Sequence, residues 1–250
     1  MTKKENHRKF GLLGKNIDYS FSRKYFSDKF LRENLSNHSY VNFDLPSLEN
    51  FDRILYNEPN LCGMNVTIPY KIKVIPFLDQ ISEEANSIGA VNTILWDAKG
   101  KTIGHNTDHT GFKKALEEQT NTLPKKALIL GTGGASAAIR YALENLNCKV
   151  LFVSRTFKKN NLTYEELTED LMKSVDLIVN STPLGTFPDI SQAPQIPYEF
   201  LRKQHLLFDL IYNPSETLFM KKGKEQGAQV CNGHQMLVYQ AEKSWELWNQ

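Results

Sequence analysis

The chain has 250 residues, of which 40% are hydrophobic and 23% charged, and a formal net charge of +2. This length supports one large domain or two modest ones, and the small net charge argues against nucleic acid or a membrane surface as a partner. We find no apolar segment of signal-peptide or membrane-spanning length, and the widely spaced Cys62, Cys148 and Cys231 form no metal-ligand or disulfide pattern, so we expect a cytoplasmic protein.

The first hundred residues alternate between strand-like and helix-like segments. Tyr25, Phe26, Phe30 and Leu31 recur at helical spacing, and a second helix is predicted over 48–55, opened by Ser47. The segments that predict strands are 10–13, 40–43, 61–66, 90–96 and a short return strand ending at Ile103. This alternation indicates an α/β layer with largely parallel pairing.

Polar side chains gather where the strand at 61–66 ends. Asn65 and Thr67 are two residues apart and therefore project from the same face. Pro69 suits the first turn of a helix, which would place Lys71 inside that turn. A lysine at such a corner is a candidate proton donor or acceptor, and the alternative is an ordinary surface lysine.

A second unit is predicted from Asp108, with a helix over 110–118 and a polar connection over 121–126. The continuous apolar runs that follow are typical of strands buried on both faces of a parallel sheet, and they cover 127–130, 149–153, 175–179 and 206–210. With the helices between them they predict a doubly wound sheet of four to six strands. The last segment, 235–248, is predicted to be a helix.

The turn between the first two of these strands is rich in glycine. It reads Gly131-Thr132-Gly133-Gly134-Ala135-Ser136 and lies between a strand and a helix. Glycines let backbone N–H groups approach a pyrophosphate at a helix N-terminus, although Ser136 stands where the usual fingerprint has a third glycine or alanine. The alternative is a glycine-rich turn without a ligand.

The end of the next strand indicates which dinucleotide would bind. An NAD site usually has Asp or Glu there, whereas this strand is followed by Ser154, Arg155, Thr156 and then Lys158. The planar guanidinium of Arg155 and the charge of Lys158 suit the 2′-phosphate of NADP. The alternative is a solvated basic loop.

These motifs resemble the shikimate dehydrogenase family. They occur in the family's order and span nearly the whole chain: GMNVTIPYK (63–71), GAVNT (89–93), GHNTDHTG (104–111), GTGGAS (131–136), SRT (154–156), NSTPLG (180–185), DLIYNP (209–214) and Gly233 with MLVYQA (236–241). Any one of these motifs can arise by chance, but the ordered set is specific.

The resemblance implies the fold and the reaction. Residues 1–107, completed by 233–250, would form an α/β substrate-binding catalytic domain, and 108–232 a Rossmann-type NADP-binding domain. The implied activity is the reversible, NADPH-dependent reduction of 3-dehydroshikimate to shikimate in aromatic amino acid biosynthesis. The implied ligands are NADP and a small-molecule substrate, with no nucleic acid and no membrane.

The resemblance also implies the site residues. Lys71 and Asp108 would be the catalytic pair. The substrate contacts would be Ser20, Ser22, Asn65, Thr67, Lys71, Asn92, Asp108, Tyr212 and Gln240. The cofactor contacts would be Gly131, Thr132, Gly133, Gly134, Ala135, Ser154, Arg155, Thr156, Lys158, Thr182, Leu210 and Gly233.

One motif departs from the family pattern. Where the family commonly reads His-Ser-x-Ser-Pro, this chain has Tyr19 and Arg23 around the two retained serines. His105 and His109 flank Asp108, but no third ligand lies at a useful spacing and the reaction needs no metal. The competing functions are a quinate/shikimate dehydrogenase that uses NAD and a non-catalytic shikimate-binding paralogue.

Overall fold

A computed structural model describes residues 7–18, 20–156 and 160–250. The chain divides into two compact units, one formed by 1–107 with 241–250 and the other by 108–240. Each unit is built on its own sheet with helices packed against it. The predicted α/β fold class is confirmed, and no helix within the described ranges has both the length and the apolar character needed to cross a bilayer.

The first unit contains a six-stranded sheet in the order β2-β1-β3-β5-β6-β4. Its strands are β1 (Arg8–Gly14), β2 (His38–Asp44), β3 (Leu61–Val66), β4 (Gln80–Ile81), β5 (Thr93–Trp96) and β6 (Thr102–His105). Strands β1, β2 and β3 are parallel, whereas β5 runs antiparallel to both β3 and β6. Strand β4 pairs parallel with β6, so the sheet is mixed: its two antiparallel pairings are the two that β5 makes, and the other pairings are parallel as predicted.

The helices that lie wholly within the described part of this unit are α1 (Phe21–Arg32), α2 (Phe51–Asn57) and α3 (Glu83–Ile88). Helix α3 shows how local chemistry sets its ends, because the Ser82 hydroxyl accepts from the Ala85 N–H and Gly89 adopts the left-handed conformation that stops it. One boundary needs correction. Helix α2 begins at Phe51 rather than at residue 48, and of the apolar residues whose spacing predicted α1, Leu31 is 76% exposed.

The second unit contains a five-stranded sheet in the order β11-β10-β9-β7-β8, and all its strands are parallel. The strands are β7 (Lys126–Leu130), β8 (Lys149–Val153), β9 (Leu177–Asn180), β10 (Leu206–Asp209) and β11 (Gln229–Cys231). The helices are α4 (Asp108–Gln119), α5 (Gly134–Glu144), α6 (Glu169–Lys173) and α7 (Leu218–Glu225). The predicted doubly wound sheet is confirmed, and α4 begins two residues earlier than expected.

The last helix, α8 (His234–Trp248), contributes to both units. Met236 near its start belongs to the core of the second unit, beneath α4 and α5. Ala241 and Trp248 belong to the aromatic core of the first unit, where the Trp248 ring lies 4.9 Å from that of Phe10. A Cβ on Gly63 would lie 2.4 Å from the Trp248 ring, so β3 needs glycine at this position for the ring to pack against its backbone.

Candidate active site and cofactor-binding edge

The directions of the strands bring several predicted site residues to one edge of the first sheet. The carboxyl ends of β1 and β3 lie side by side because these strands are parallel. The antiparallel β5 starts at the same edge, since Thr93 pairs with both Asn65 and His105, and β6 ends there. We call this edge, formed by the ends of β1, β3 and β6 and the start of β5, the substrate edge.

Two serines and a threonine lie at the substrate edge. Ser20 caps α1, and its hydroxyl accepts from the Ser22 N–H at 3.2 Å. The Thr67 N–H donates to the Leu13 carbonyl at 2.8 Å, which fixes the threonine beside the end of β1. All three hydroxyl-bearing residues are partly exposed.

Lys71 does not lie in a helix, in contrast to the prediction from Pro69. Residues 71–74 form turns that lead into a 3-10 turn at Ile75–Phe77. The physical reason is that the Lys71 carbonyl accepts a hydrogen bond from the N–H of Val91, a residue distant in sequence, at 2.7 Å. This carbonyl therefore does not accept from an N–H in the next helical turn. This bond attaches the backbone of Lys71 to the residue before Asn92, so both predicted contacts lie at the substrate edge.

Asn65 is 3% exposed and is engaged inside the protein. Its Oδ1 accepts from the Tyr40 hydroxyl at 2.8 Å, and its Nδ2 lies 2.9 Å from the Ser244 hydroxyl. Burial raises the pKa of Tyr40, and a hydrogen bond with Ser22 opposes that rise. Sequence reasoning missed Tyr40 and Ser244, because nothing in their local patterns marks them as neighbours of Asn65.

Asn92 is also buried, and it holds the segment that leads to Asp108. Its Oδ1 accepts from the Thr107 N–H at 2.6 Å, and its Nδ2 donates to the Thr107 hydroxyl at 3.0 Å. Asp108 is the next residue, the first of α4, and is only 6% exposed. A carboxylate in the first turn of a helix is favourably placed because the helix N-terminus carries partial positive charge.

The second sheet delivers most of the predicted cofactor contacts to one edge. Because all five strands are parallel, the segments that follow them meet at the carboxyl ends. We call this the cofactor edge. The predicted residues that follow a strand of this sheet there are Gly131 to Ala135 after β7, Ser154 to Thr156 after β8, Thr182 after β9, Leu210 and Tyr212 after β10, and Gly233 after β11.

The glycine-rich turn fits a phosphate-bearing ligand. Gly131 has φ +102, and the Ser181 hydroxyl would lie 3.0 Å from a Cβ added there, so glycine is required by the turn itself. A Cβ built on Gly133 or Gly134 meets nothing within 4 Å, so the backbone at these positions borders open space. Helix α5 starts at Gly134 with no side-chain cap and no acidic residue in its first turn, which leaves its N-terminus suited to an anion.

The segment after β8 presents Arg155 and Thr156 to solvent. Ser154 differs from them because it is buried, and its hydroxyl donates to the Thr156 carbonyl at 2.6 Å, which shapes the loop. Lys158, the second predicted cation, lies outside the described residues.

The remaining predicted residues of the second unit fall into two groups. Leu210 and Gly233 lie against each other, since a Cβ on Gly233 would be 2.1 Å from the Leu210 carbonyl oxygen, and the Gly233 N–H donates to the Ile211 carbonyl. Gln240 lies on α8, where its Nε2 donates to the Leu237 carbonyl at 3.0 Å.

The histidines near Asp108, His105 and His109, are not arranged as metal ligands. His109 packs edge-on against the Tyr141 ring at 5.2 Å, and burial lowers the pKa of His105. Within the described part of the chain, no group of three or more His, Cys, Asp or Glu side chains is arranged to hold a metal ion.

A family model for the shikimate dehydrogenase substrate binding domain matches residues 12–94. The shikimate dehydrogenase (NADP(+)) of Methanococcus maripaludis is 39% identical over 255 residues, which cover 95% of this chain and 90% of the relative. The chain belongs to the shikimate dehydrogenase family.

Solved structures agree with this assignment to the shikimate dehydrogenase family. The shikimate 5-dehydrogenase of Thermus thermophilus, in complex with NADP(H) and shikimate, has a TM-score of 0.85 and 30% identity over 96% of this chain and 93% of that one. The quinate dehydrogenase of Corynebacterium glutamicum, in complex with NAD, has a TM-score of 0.86 and 27% identity over 98% and 94%. Both neighbours share the two-unit α/β architecture with this family member.

Proposed function

We propose that this protein catalyses the NADP-dependent, reversible reduction of 3-dehydroshikimate to shikimate, a step of aromatic amino acid biosynthesis. The observation that carries the proposal is the full-length relationship to shikimate dehydrogenases, in a chain that keeps Lys71, Asp108 and the glycine-rich turn. In the proposal the first unit supplies most of the substrate contacts, and the second unit binds NADP. The thiols of Cys62, Cys148 and Cys231 are free, as in a reducing cytoplasm, where we place the enzyme.

The proposed cofactor contacts come from the cofactor edge. The turn from Gly131 to Ala135 and the start of α5 would hold the pyrophosphate, because the backbone at Gly133 and Gly134 borders open space and the start of α5 has no side-chain cap. Arg155 and Thr156 would hold the 2′-phosphate, with Lys158 as a second cation and Ser154 fixing their loop. Thr182, Leu210 and Gly233 would line the nicotinamide end. When bound, NADPH supplies the hydride that the reduction needs.

Proton transfer is assigned to Lys71 and Asp108. Reduction of a ketone creates an alkoxide, and a lysine ammonium beside it can donate the required proton. In the reverse direction the lysine amine accepts the proton of the hydroxyl. Asp108, at the first position of α4, would orient the ammonium and accept a hydrogen bond from a neighbouring hydroxyl of the substrate.

The substrate offers a carboxylate and several hydroxyls, and the proposed contacts match both. The hydroxyls of Ser20, Ser22 and Tyr212 would donate to the carboxylate, and Thr67, Asn92 and Gln240 would bind the substrate hydroxyls. Oδ1 and Nδ2 of Asn65 are hydrogen-bonded to Tyr40 and Ser244. We therefore propose that Asn65 stabilises the end of β3 at the substrate edge through these buried hydrogen bonds.

One set of assays tests the proposal. The purified protein is mixed with shikimate or quinate and with NADP+ or NAD+, and formation of the reduced nicotinamide is followed by its absorbance. We expect the highest kcat/KM with shikimate and NADP+. A preference for NAD+ would refute the role of Arg155 and favour a quinate/shikimate dehydrogenase, whereas binding of shikimate without turnover would favour a non-catalytic paralogue.

A further inference from the structure

Asp209 is a buried carboxylate to which the proposed chemistry gives no role. It ends β10 and has 0% exposure. Its Oδ1 accepts from the Asn180 amide at 3.0 Å and from the Ile211 N–H at 3.1 Å, and its Oδ2 accepts from the Thr217 hydroxyl at 2.6 Å. All three donors are neutral, and burial raises the pKa of Asp209 to about 6.

The Asn180 contact reaches the segment after β9. The Asn180 Oδ1 accepts from both the N–H and the hydroxyl of Thr182, at 3.0 and 2.7 Å. Asn180 is itself fully buried, and its Nδ2 also donates to the Leu184 carbonyl at 3.5 Å, a longer contact than the 3.0 Å bond to Asp209. The bond between Asp209 and Asn180 therefore helps to set the position of Thr182 at the cofactor edge.

The other two contacts reach the segment after β10. The bond from the Ile211 N–H closes a turn around Leu210, the proposed cofactor contact. Thr217 is fully buried and caps α7, because its hydroxyl accepts from the Met220 N–H at 3.3 Å. The carboxylate thus attaches both ends of the segment 210–217 to the sheet.

The carboxylate accepts from all three donors at once. Its two oxygens accept simultaneously on both sides, whereas an amide of the same shape accepts on one side only. Burying the charge is costly, so a residue that served packing alone would be better replaced by a neutral one. The arrangement is therefore explained by the two segments that it connects.

We propose that Asp209 is a positioning residue for the cofactor edge. By accepting from Asn180, Ile211 and Thr217 at once, it fixes the Thr182 and Leu210 segments relative to each other. The inference rests on the proposed function, in that these segments are taken to contact NADP.

The test compares Asp209→Ala and Asp209→Asn with a control at the other end of the same strand. His205 is also fully buried. Its Nδ1 accepts from the Arg202 N–H at 2.8 Å, and its Nε2 lies 2.9 Å from the Met172 carbonyl oxygen. His205→Ala therefore removes buried polar contacts near the amino end of β10. Thermal unfolding, NADP+ dissociation constants from calorimetry, and amide hydrogen exchange are measured for each protein.

Asp209→Ala leaves buried donors without acceptors, so we expect about tenfold weaker NADP+ binding and faster exchange in 181–185 and 210–212. Asp209→Asn keeps the acceptor for Asn180 and Ile211, so its NADP+ affinity should stay within about threefold of the unmodified value. His205→Ala should lower the melting temperature while leaving NADP+ affinity and the exchange of both segments as they were.

Unchanged NADP+ affinity and exchange in Asp209→Ala would overturn the inference, and so would equal losses in His205→Ala. If Asp209→Ala does not fold, Asn180→Ala decides by the exchange of 210–212, because the Asn180 side chain reaches that segment through Asp209, and unchanged exchange there would overturn the inference. Exchange in 181–185 is not used for this variant, because it also loses the Asn180 bonds to Thr182. If the unmodified protein does not bind NADP+, the proposed function fails, and the exchange of the two segments alone then decides the positioning role.

Discussion

Gly134→Ala separates the stability of the nucleotide-binding domain from its affinity for the cofactor. Gly134 is the first residue of α5, and a Cβ built on it meets no atom within 4 Å. The added methyl group therefore causes no clash inside the protein. It projects into the open space that the proposed pyrophosphate would occupy.

The two effects of this substitution have opposite signs. Alanine in place of glycine within a helix stabilises the fold by up to about 1 kcal/mol, so the melting temperature should rise by about 1–4 °C. A methyl group between the backbone and a phosphate removes one or two hydrogen bonds to a charged group, each worth about 1.5–3 kcal/mol. NADP+ binding should therefore weaken by about ten- to several-hundredfold.

Calorimetric titration with NADP+ and differential scanning calorimetry measure the two quantities on the same sample. Gly131→Ala is the matched control, because its φ of +102 and the 3.0 Å approach of the Ser181 hydroxyl make alanine strained there. That variant should lose stability on the order of 1–3 kcal/mol. If Gly134→Ala gains stability and still binds NADP+ like the unmodified protein, the glycine turn is not the pyrophosphate site.

Four further predictions concern single contacts. Arg155→Ala should weaken NADPH binding by about ten- to a hundredfold and leave NADH binding nearly unchanged, and equal weakening of both would show another role for Arg155. Lys71→Met should lower kcat by at least about a hundredfold with a much smaller change in the shikimate dissociation constant, and near-normal turnover would refute the proton-transfer role. Replacing both Ser20 and Ser22 with Ala should raise the KM for shikimate far more than the KM for NADP+. The double variant should also lose about 1 kcal/mol of stability, because the Ser20 hydroxyl that caps α1 is removed. A substrate complex in which the carboxylate binds elsewhere would contradict the assignment. Burial raises the pKa of Asp209 to about 6 in the folded state from 3.8, so protonated Asp209 stabilises the folded protein at low pH, and this stabilisation is lost as the pH rises from about 4 through about 6. The free energy of unfolding of Asp209→Asn, measured relative to that of the unmodified protein, should therefore increase across this pH range. A difference in unfolding free energy that does not change with pH would refute the raised pKa.

Much of the second unit follows from local sequence. Strands β7, β8 and β10 match the predicted runs at 127–130, 149–153 and 206–210 to within one residue, whereas β9 begins two residues later than the run at 175–179. Strands β7 and β10 are almost wholly buried and therefore apolar along most of their length, while β8 is partly exposed. The glycine turn after β7 is equally local, since Gly131 needs its left-handed conformation regardless of what lies further along the chain. A helix follows the turn as predicted, over Gly134–Glu144.

Prediction was weaker where a distant partner competes with local preference. Pro69 favours the start of a helix, yet the Lys71 carbonyl accepts from the Val91 N–H instead. No residue near Lys71 in sequence indicates this hydrogen bond. The antiparallel β5 likewise makes the first sheet mixed, because strand direction depends on how the chain returns across the sheet. Leu31 lies on the exposed side of α1 although its spacing matches that of its buried neighbours.

The sequence by itself determined the family, the glycine-rich turn and the candidate catalytic residues, because each depends on chemical groups that are consecutive or ordered along the chain. Only the tertiary structure decided what supports them. Asn65 meets Tyr40 and Ser244, and Asp209 meets Asn180. These buried polar groups lie far apart in sequence, and each must find a hydrogen-bond partner when it leaves water, so the folded arrangement alone fixes which partner it takes.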